Sequence, residues 1–157
     1  RAARGLAVVT TRESDVAVAA DKRAETANHA RADLCLVLHA TESGAGIHLF
    51  TSALSPAPPQ RFSAWETAQA AYVPRSLALA GTLNSAISQA GMTVLLGRVN
   101  LPGMDSMDCP AVAIEIAPER TSSGSVTAEP DDTSYDSRIA AAIVAAVVQW
   151  SAEVYQP

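Results

Sequence analysis

The sequence predicts an α/β fold in which helices cover both faces of a mostly parallel, twisted sheet. Short apolar runs of strand length alternate along the chain with amphipathic stretches of helix length, the pattern of parallel strands joined by crossover helices. Apolar residues make up 48% of the chain and charged residues only 17%, which is typical of a domain with a buried core. The length of 157 residues provides material for one domain.

Charge and composition exclude several classes of function. The chain has 11 basic and 16 acidic residues and a net charge of −5, so the basic stripe of a nucleic-acid-binding protein is missing. The aromatic share of 4% also argues against a base-stacking surface. The longest uncharged apolar run, Ile139–Trp150, is shorter than the roughly 20 residues of a membrane span. We therefore expect no nucleic acid and no membrane span, and the sequence leaves the oligomeric state open.

The first half of the chain is predicted to alternate strands with one helix. In Asp15–Ala30 apolar residues recur every three or four positions among charged ones, and Ser14 or Asp15 is placed to cap that helix. The continuously apolar run Leu34–Leu38 suits a parallel strand that is covered on both faces. The predicted strands of this half are Leu6–Thr10, Leu34–Leu38 and Ile47–Phe50.

The second half is predicted to add two strands and two helices. The prolines within Thr51–Ser63 predict a loop, and Pro74 is expected to interrupt the helical stretch Trp65–Ala90. The closing helix is predicted over Asp136–Glu153. The remaining predictions are the strands Met92–Leu96 and Ala111–Ile116 and the loops Asn100–Pro110 and Ala117–Ser134.

One histidine stands where sheets of this kind bind ligands, beyond the carboxyl ends of their strands. His39 ends an apolar strand, and its imidazole is suited to metal ligation or to acid–base chemistry. The alternative is an ordinary hydrogen-bonded histidine at a strand tip. His29, late in a helix, is expected to face solvent, and His48 is expected to be a strand residue without a function.

Glu115 is the sharper anomaly because it interrupts the apolar strand Ala111–Ile116. Charged side chains are rarely buried unless they are paired or bound to a metal. A carboxylate in such surroundings is a candidate general base, whereas on an edge strand Glu115 would simply face water. A histidine and a glutamate at two strand ends are compatible with a zinc hydrolase, although their spacing alone does not establish one.

The two cysteines exclude a disulfide-rich miniprotein and a zinc site made of cysteines alone. A disulfide between Cys35 and Cys109 requires the strands that carry them to be neighbours, and the sequence leaves that question open.

Taken in order, several segments resemble the zinc-dependent N-acetylmuramoyl-L-alanine amidases, which cut peptidoglycan. A strand ending in Thr-Arg precedes a helix with an arginine and a later Ala-Asn pair. An Ala-Asp pair, an apolar strand and a histidine follow, and late in the chain Pro-Ala-Val precedes two apolar residues and a glutamate. These motifs are Val8–Arg12, Arg23 with Ala27-Asn28, Ala32–Ala40, Gly46–Phe50, Pro110–Glu115 and Arg138–Ile143.

The resemblance implies a function and a role for each matching residue. His39 would be a ligand of one zinc ion, and Glu115 would be the general base that polarises the metal-bound water. The reaction would be hydrolysis of the amide bond between N-acetylmuramic acid and L-alanine in peptidoglycan or muropeptides. The resemblance also implies a periplasmic, envelope or extracellular location.

The sequence departs from the family pattern at its beginning and after Glu115. The family's Asp-x-Gly-His-Gly segment and the glutamate of the helix after it are missing, so two zinc ligands are missing with them. We therefore expect residues 1–157 to form a single amidase-like catalytic domain that lacks the first strand and helix of the fold. One histidine does not hold catalytic zinc, so the chain as given, a fragment of an amidase, is expected to be inactive.

Two alternatives accompany this interpretation. One is a non-catalytic cell-wall binding or regulatory module on the same fold, and the other is an unrelated doubly wound domain in which Glu115 forms a structural pair. After Glu115 the chain continues through Ile116–Arg120 rather than the glycine-phenylalanine of the family. The loop Asn100–Asp108 and Arg98 are expected to lie beside the substrate.

Overall fold

Four strands form the main sheet of the computed structural model, which describes residues 5–59 and 64–154. The order across the sheet is β1-β4-β2-β3, with β1 parallel to β4, β2 parallel to β3, and β2 antiparallel to β4. The predicted mostly parallel α/β sheet is confirmed, with one antiparallel pair. Residues 41–46, which join β1 to β2, are too few for the crossover that a parallel return requires. The strands are β1 Cys35–Ala40, β2 Ile47–Ser52, β3 Val94–Val99 and β4 Ala111–Ile116.

Helices cover the sheet on both faces, as predicted. On one face α2 and α3 bury the larger core, to which the sheet contributes alternate residues such as Leu49 and Ile114 and α3 contributes Trp150. On the other face α1 covers a smaller core. We call these the α2/α3 face and the α1 face. The helices are α1 Ala20–His29, α2 Val73–Gln89 and α3 Thr133–Val154, with short 3₁₀ helices at Trp65–Ala71 and Met104–Ser106.

The smaller core surrounds a disulfide between Cys35 at the start of β1 and Cys109 just before β4, with 6.1 Å between their Cα atoms. Ala24 of α1 and Ala111 of β4 pack beside it and are fully buried. The disulfide answers the question that the sequence left open, because β1 and β4 are neighbours.

The structure differs from the predictions at the beginning of the chain. Leu6–Thr10 is not a strand: Leu6 makes a single bridge, and no described strand pairs with the rest, which leaves Val8 and Val9 mostly exposed. Helix α1 begins at Ala20 rather than at residue 15, and its N-cap residue, Ala19, gives no side-chain cap. The predicted cap at Ser14 or Asp15 is therefore wrong.

Later in the chain one break is confirmed and one loop is corrected. The predicted interruption of Trp65–Ala90 is present at Tyr72, and Pro74 lies in the first turn of the helix that follows, α2, where its missing N–H has no intrahelical partner to lose. The predicted loop Ala117–Ser134 contains a ribbon of two short strands, β5 Glu119–Arg120 and β6 Val126–Ala128. The part of the loop Thr51–Ser63 at positions 60–63 lies outside the described residues.

Helix α3 is long and apolar enough, by length and composition, to cross a membrane, although the shorter run Ile139–Trp150 predicted no span. Its buried side chains form one stripe, which includes Tyr135, Ile139 and Trp150, and pack against α2 and the sheet. Core helices of globular domains pass the same test, so the helix is weak evidence for a membrane.

Candidate active site

Three polar side chains lie in a row across the α1 face, where β1 and β4 end. Glu115 of β4 has His39 of β1 as its register partner on one side and His48 of β2 on the other. Register partners on neighbouring strands project from the same face, and the strands are about 4.8 Å apart. We call these three residues the polar row.

Glu115 and His48 form the best-defined contact of the polar row. The Nδ1 atom of His48 lies 3.0 Å from Oε1 of Glu115. The side chain of His48 is 18% exposed and that of Glu115 is 34% exposed, so the pair is partly shielded from water. The second carboxylate oxygen of Glu115, Oε2, has no hydrogen-bond partner among the described residues. The carboxylate is therefore anchored through one oxygen and open at the other.

The second ring nitrogen of His48 is also in use. Its Nε2 atom lies 3.1 Å from the carbonyl oxygen of Ala45, in the turn before β2. A carbonyl only accepts hydrogen bonds, so Nε2 carries a proton and donates it. The Nδ1 atom then faces Oε1 of Glu115 at 3.0 Å, and a hydrogen bond between these two atoms requires a proton on one of them.

The turn that carries Ala45 is fixed by the residues that follow β4. Gly46 donates its N–H to Pro118 at 3.0 Å and accepts from the N–H of Ala117 at 2.9 Å. Only glycine fits at position 46, because φ is +76° and a Cβ atom would lie 2.6 Å from the carbonyl oxygen of Thr93.

Two side chains secure the same region from outside. The hydroxyl of Tyr135 in α3 donates to the carbonyl of Ala117 at 3.0 Å, and burial raises the pKa of Tyr135, which keeps this donor protonated. Arg120 donates from Nε to the carbonyl of Gly44 at 3.0 Å. The chain that leaves β4 thus braces the turn on which His48 depends.

His39 is the exposed member of the polar row. It lies on β1, an edge strand of the described sheet, where the neighbouring Leu38 is 57% exposed. No described residue forms a hydrogen bond with either ring nitrogen of His39, which leaves the imidazole available to a ligand.

The described residues do not make a zinc site by themselves. Among them, no three histidine, cysteine, aspartate or glutamate side chains are grouped so as to hold a metal ion. His48 adds no ligand, because both of its nitrogens already bind protein atoms. His39 therefore stands as a single candidate ligand, and catalytic zinc needs three.

The structure corrects several expectations about these residues. β4 is a central strand, so the alternative that placed Glu115 on an edge strand is wrong. His29 is exposed at the end of α1, as expected. His48, expected to be a plain strand residue, contacts Glu115, and this contact follows from the antiparallel register of β2 and β4, which no local sequence pattern indicates.

Arg98 and the loop Asn100–Asp108 lie at the opposite end of the sheet from the polar row. Both are at or beyond the carboxyl end of β3, and β3 runs opposite to β4. Arg98 uses Nε and Nη2 to bind the carbonyls of Ser52 and Leu54. Arg98 thus holds the end of β2 in place. Neither Arg98 nor the loop lies beside Glu115.

Comparison with protein families decides the identity of the domain. Residues 2–149 match the family model described as N-acetylmuramoyl-L-alanine amidase. The chain belongs to this family. Its function is therefore that of a peptidoglycan amidase, an enzyme that hydrolyses an amide bond of the cell wall.

Solved amidase structures share the fold. The catalytic domain of the N-acetylmuramoyl-L-alanine amidase CwlV from Bacillus (Paenibacillus) polymyxa var. colistinus matches with a TM-score of 0.66 and 20% identity, over 94% of this chain and 73% of that one. Ami1, the amidase of Mycobacterium smegmatis, matches with a TM-score of 0.64 and 20% identity, over 93% of this chain and 67% of that one. Comparison with curated protein sequences gave no significant match.

Proposed function

We propose that this amidase cleaves the bond between N-acetylmuramic acid and L-alanine, with Glu115 as the proton acceptor. The observation that supports this role is the half-open carboxylate: Oε1 is held by His48, while Oε2 has no partner among the described residues. The side chain of Glu115 is 34% exposed, so this second oxygen is accessible to water or to a ligand. Glu115 also lies at the carboxyl end of its strand, where α/β sheets bind ligands.

The proposed step uses the free oxygen of Glu115. A water molecule attacks the carbonyl carbon of the lactyl amide while Oε2 takes one of its protons. The C–N bond then breaks, and the proton passes from Glu115 to the leaving nitrogen. The second proton of the water leaves the new carboxyl group and is taken up by the amine, so the products are the lactyl carboxylate and the ammonium group of L-alanine, and atoms and charges balance.

The test replaces Glu115 by glutamine in the full-length gene product, which keeps the size of the side chain and removes the base. We expect turnover of muropeptides to fall by about 10²- to 10⁴-fold, the usual contribution of a positioned base. Glu129→Gln is the matched control, because Glu129 is exposed and lies outside the polar row. Release of L-alanine amino groups measures turnover, and an unchanged rate for Glu115→Gln would refute the assignment.

We also propose that His39 is one ligand of the zinc ion that the family resemblance implies, together with ligands outside the described residues. Its exposed, unpartnered imidazole at the end of β1 supports this role. Metal analysis after dialysis tests it: His39→Ala in the full-length protein should lose zinc, and His29→Ala on α1 should keep it. Equal zinc content in both variants would contradict the proposal.

A non-catalytic cell-wall module is the second candidate, favoured by one observation: no three described side chains are grouped to hold a metal. Such a module would sediment with purified peptidoglycan without releasing amino groups. Binding without turnover by the full-length protein would support this second function against the first.

We propose an oxidising location, the periplasm or the outside of the cell, for the domain. The Cys35–Cys109 disulfide supports this proposal, because disulfides persist in secreted and envelope proteins and are rare in the cytosol. Alkylation of the denatured protein tests it, with the cells quenched in acid beforehand and without prior reduction. We expect both cysteines to be protected, and full alkylation would contradict the proposal.

A further inference from the structure

We propose that His48 is a positioning residue, which aims the carboxylate of Glu115 by holding Oε1 and leaving Oε2 towards the substrate. The inference rests on the proposed function of Glu115. His48 touches neither substrate nor reacting atoms in this proposal, and it acts only through Glu115. The distance of 3.0 Å between Nδ1 and Oε1 is that of a normal hydrogen bond.

The ring of His48 is itself fixed, and this gives it the means to orient a neighbour. The carbonyl of Ala45 holds Nε2 at 3.1 Å, so the ring has contacts at both nitrogens and little freedom to rotate. Phe50, two residues along β2, meets the ring edge to face with 6.2 Å between centroids. A glutamate side chain has three rotatable bonds, and a rigid partner at one oxygen removes much of that freedom.

Strand packing alone does not explain a histidine at this position. The residues on either side, Ile47 and Leu49, are fully buried on the α2/α3 face, whereas His48 points to the sparsely covered end of the α1 face. Its register partner on β3, Leu95, is apolar and 57% exposed, so this row tolerates an apolar side chain. The two polar contacts of His48 are therefore what distinguishes it from a leucine.

The segment after Glu115, which departs from the family pattern, also supports the position of His48. Arg120 binds the carbonyl of Gly44 and also reaches the carbonyl of Gly124 at 3.1 Å. It ties the ribbon that follows β4 to the turn that carries Ala45. The segment after the base thus helps to hold the residue that positions the base.

Two conservative variants separate the two contacts of His48. The amide nitrogen of asparagine overlaps Nδ1 of histidine, so His48→Asn keeps the donor towards Glu115. The amide nitrogen of glutamine overlaps Nε2 instead, so His48→Gln keeps the donor towards Ala45, and His48→Leu keeps neither. We expect His48→Leu and His48→Gln to lower kcat by about 10- to 100-fold, as misplacement of a catalytic group does, with KM unchanged.

His48→Asn should restore kcat to within a few-fold of the parent, while His29→Asn serves as the control for a histidine elsewhere on the surface. A merely structural role would lower thermal stability in all three variants of His48 without this split between kcat and KM. Equal kcat for His48→Leu and the parent, or equal losses for His48→Asn and His48→Leu, would overturn the inference.

A spectroscopic measurement distinguishes failure of this inference from failure of the proposed function. In nitrogen-15 spectra of the full-length protein, we expect Nε2 of His48 to be protonated, and the Nδ1 signal to move when Glu115 is replaced by glutamine. An unchanged Nδ1 chemical shift in the Glu115→Gln variant would overturn the inference. If the signal moves but the parent protein has no turnover, the pair exists and the proposed function has failed.

Discussion

The two ends of the β1–β4 strand pair differ in almost every respect. At the amino ends, Cys35 is joined to Cys109, and the buried Gln69 donates to the carbonyls of Met107 and Cys109 at 2.8 and 2.6 Å. At the carboxyl ends, the polar row is partly open to water and Glu115 has one free oxygen. The closed end is held by a covalent bond and buried hydrogen bonds, whereas the open end leaves a carboxylate oxygen accessible to a ligand.

The closed end determines the geometry of the open one. Cys35 pairs with Ala111, and the same register, continued along the strands, brings His39 opposite Glu115. A shift of one residue would turn every side chain to the other face and bury Glu115 against α2 and α3. Covalent and hydrogen-bonded fixation at one end is thus what aligns the reactive groups at the other.

Removal of the disulfide is the largest expected change to the closed end. Cys35 and Cys109 are 74 residues apart, and closing a loop of that length stabilises the folded state by about 4 kcal/mol in the chain-entropy estimate. Urea unfolding of the double variant Cys35→Ala/Cys109→Ala measures the loss. Equal unfolding free energies for the parent and the double variant would contradict the comparison.

Loss of the amide at position 69 should come next. Gln69 is fully buried, and its Oε1 accepts from the hydroxyl of Ser76 at 3.1 Å, which in turn accepts from the N–H of Ala111 at 2.9 Å. Gln69→Leu leaves buried carbonyl groups without a donor, so we expect a loss of about 3 kcal/mol. Gln149→Leu on the exposed side of α3 is the control, and equal effects of the two changes would show that the network does not stabilise the closed end.

The smallest expected effect lies at the start of α3, and it depends on pH. The carboxylate of Asp132 accepts from the hydroxyl and N–H of Ser134 and from the N–H of Tyr135, and these bonds lower its pKa below the ordinary value of 3.8. A lowered folded-state pKa means that the stabilisation is present above the unfolded pKa and is lost as the pH falls through the folded one.

Asp132→Ala should therefore lower the midpoint of thermal unfolding slightly at neutral pH and have no effect once Asp132 is protonated. Asp131→Ala, one residue earlier and exposed, is the control. A difference between Asp132→Ala and the parent that persists unchanged into strong acid would contradict the capping role.

The sequence predicts the features that depend on local residue patterns, and it does not predict those that depend on contacts between distant segments. The strand Ala111–Ile116 was predicted with its exact bounds because its apolar run is unbroken except for Glu115, and the anomaly of that glutamate was visible in the same run. Leu6–Thr10 has the same apolar character but no described partner strand, and pairing is a non-local property. His48 and Glu115 are 67 residues apart in the sequence, so no local pattern predicts their contact.

The central claim, that Glu115 and His48 act as one unit at the open end, is tested most directly by a double-mutant cycle on muropeptide turnover. The variants are Glu115→Gln, His48→Leu and their combination in the full-length protein. If His48 acts only through Glu115, the combined variant should be no slower than Glu115→Gln alone. If the losses multiply instead, the two residues act independently, and the account of the polar row is contradicted.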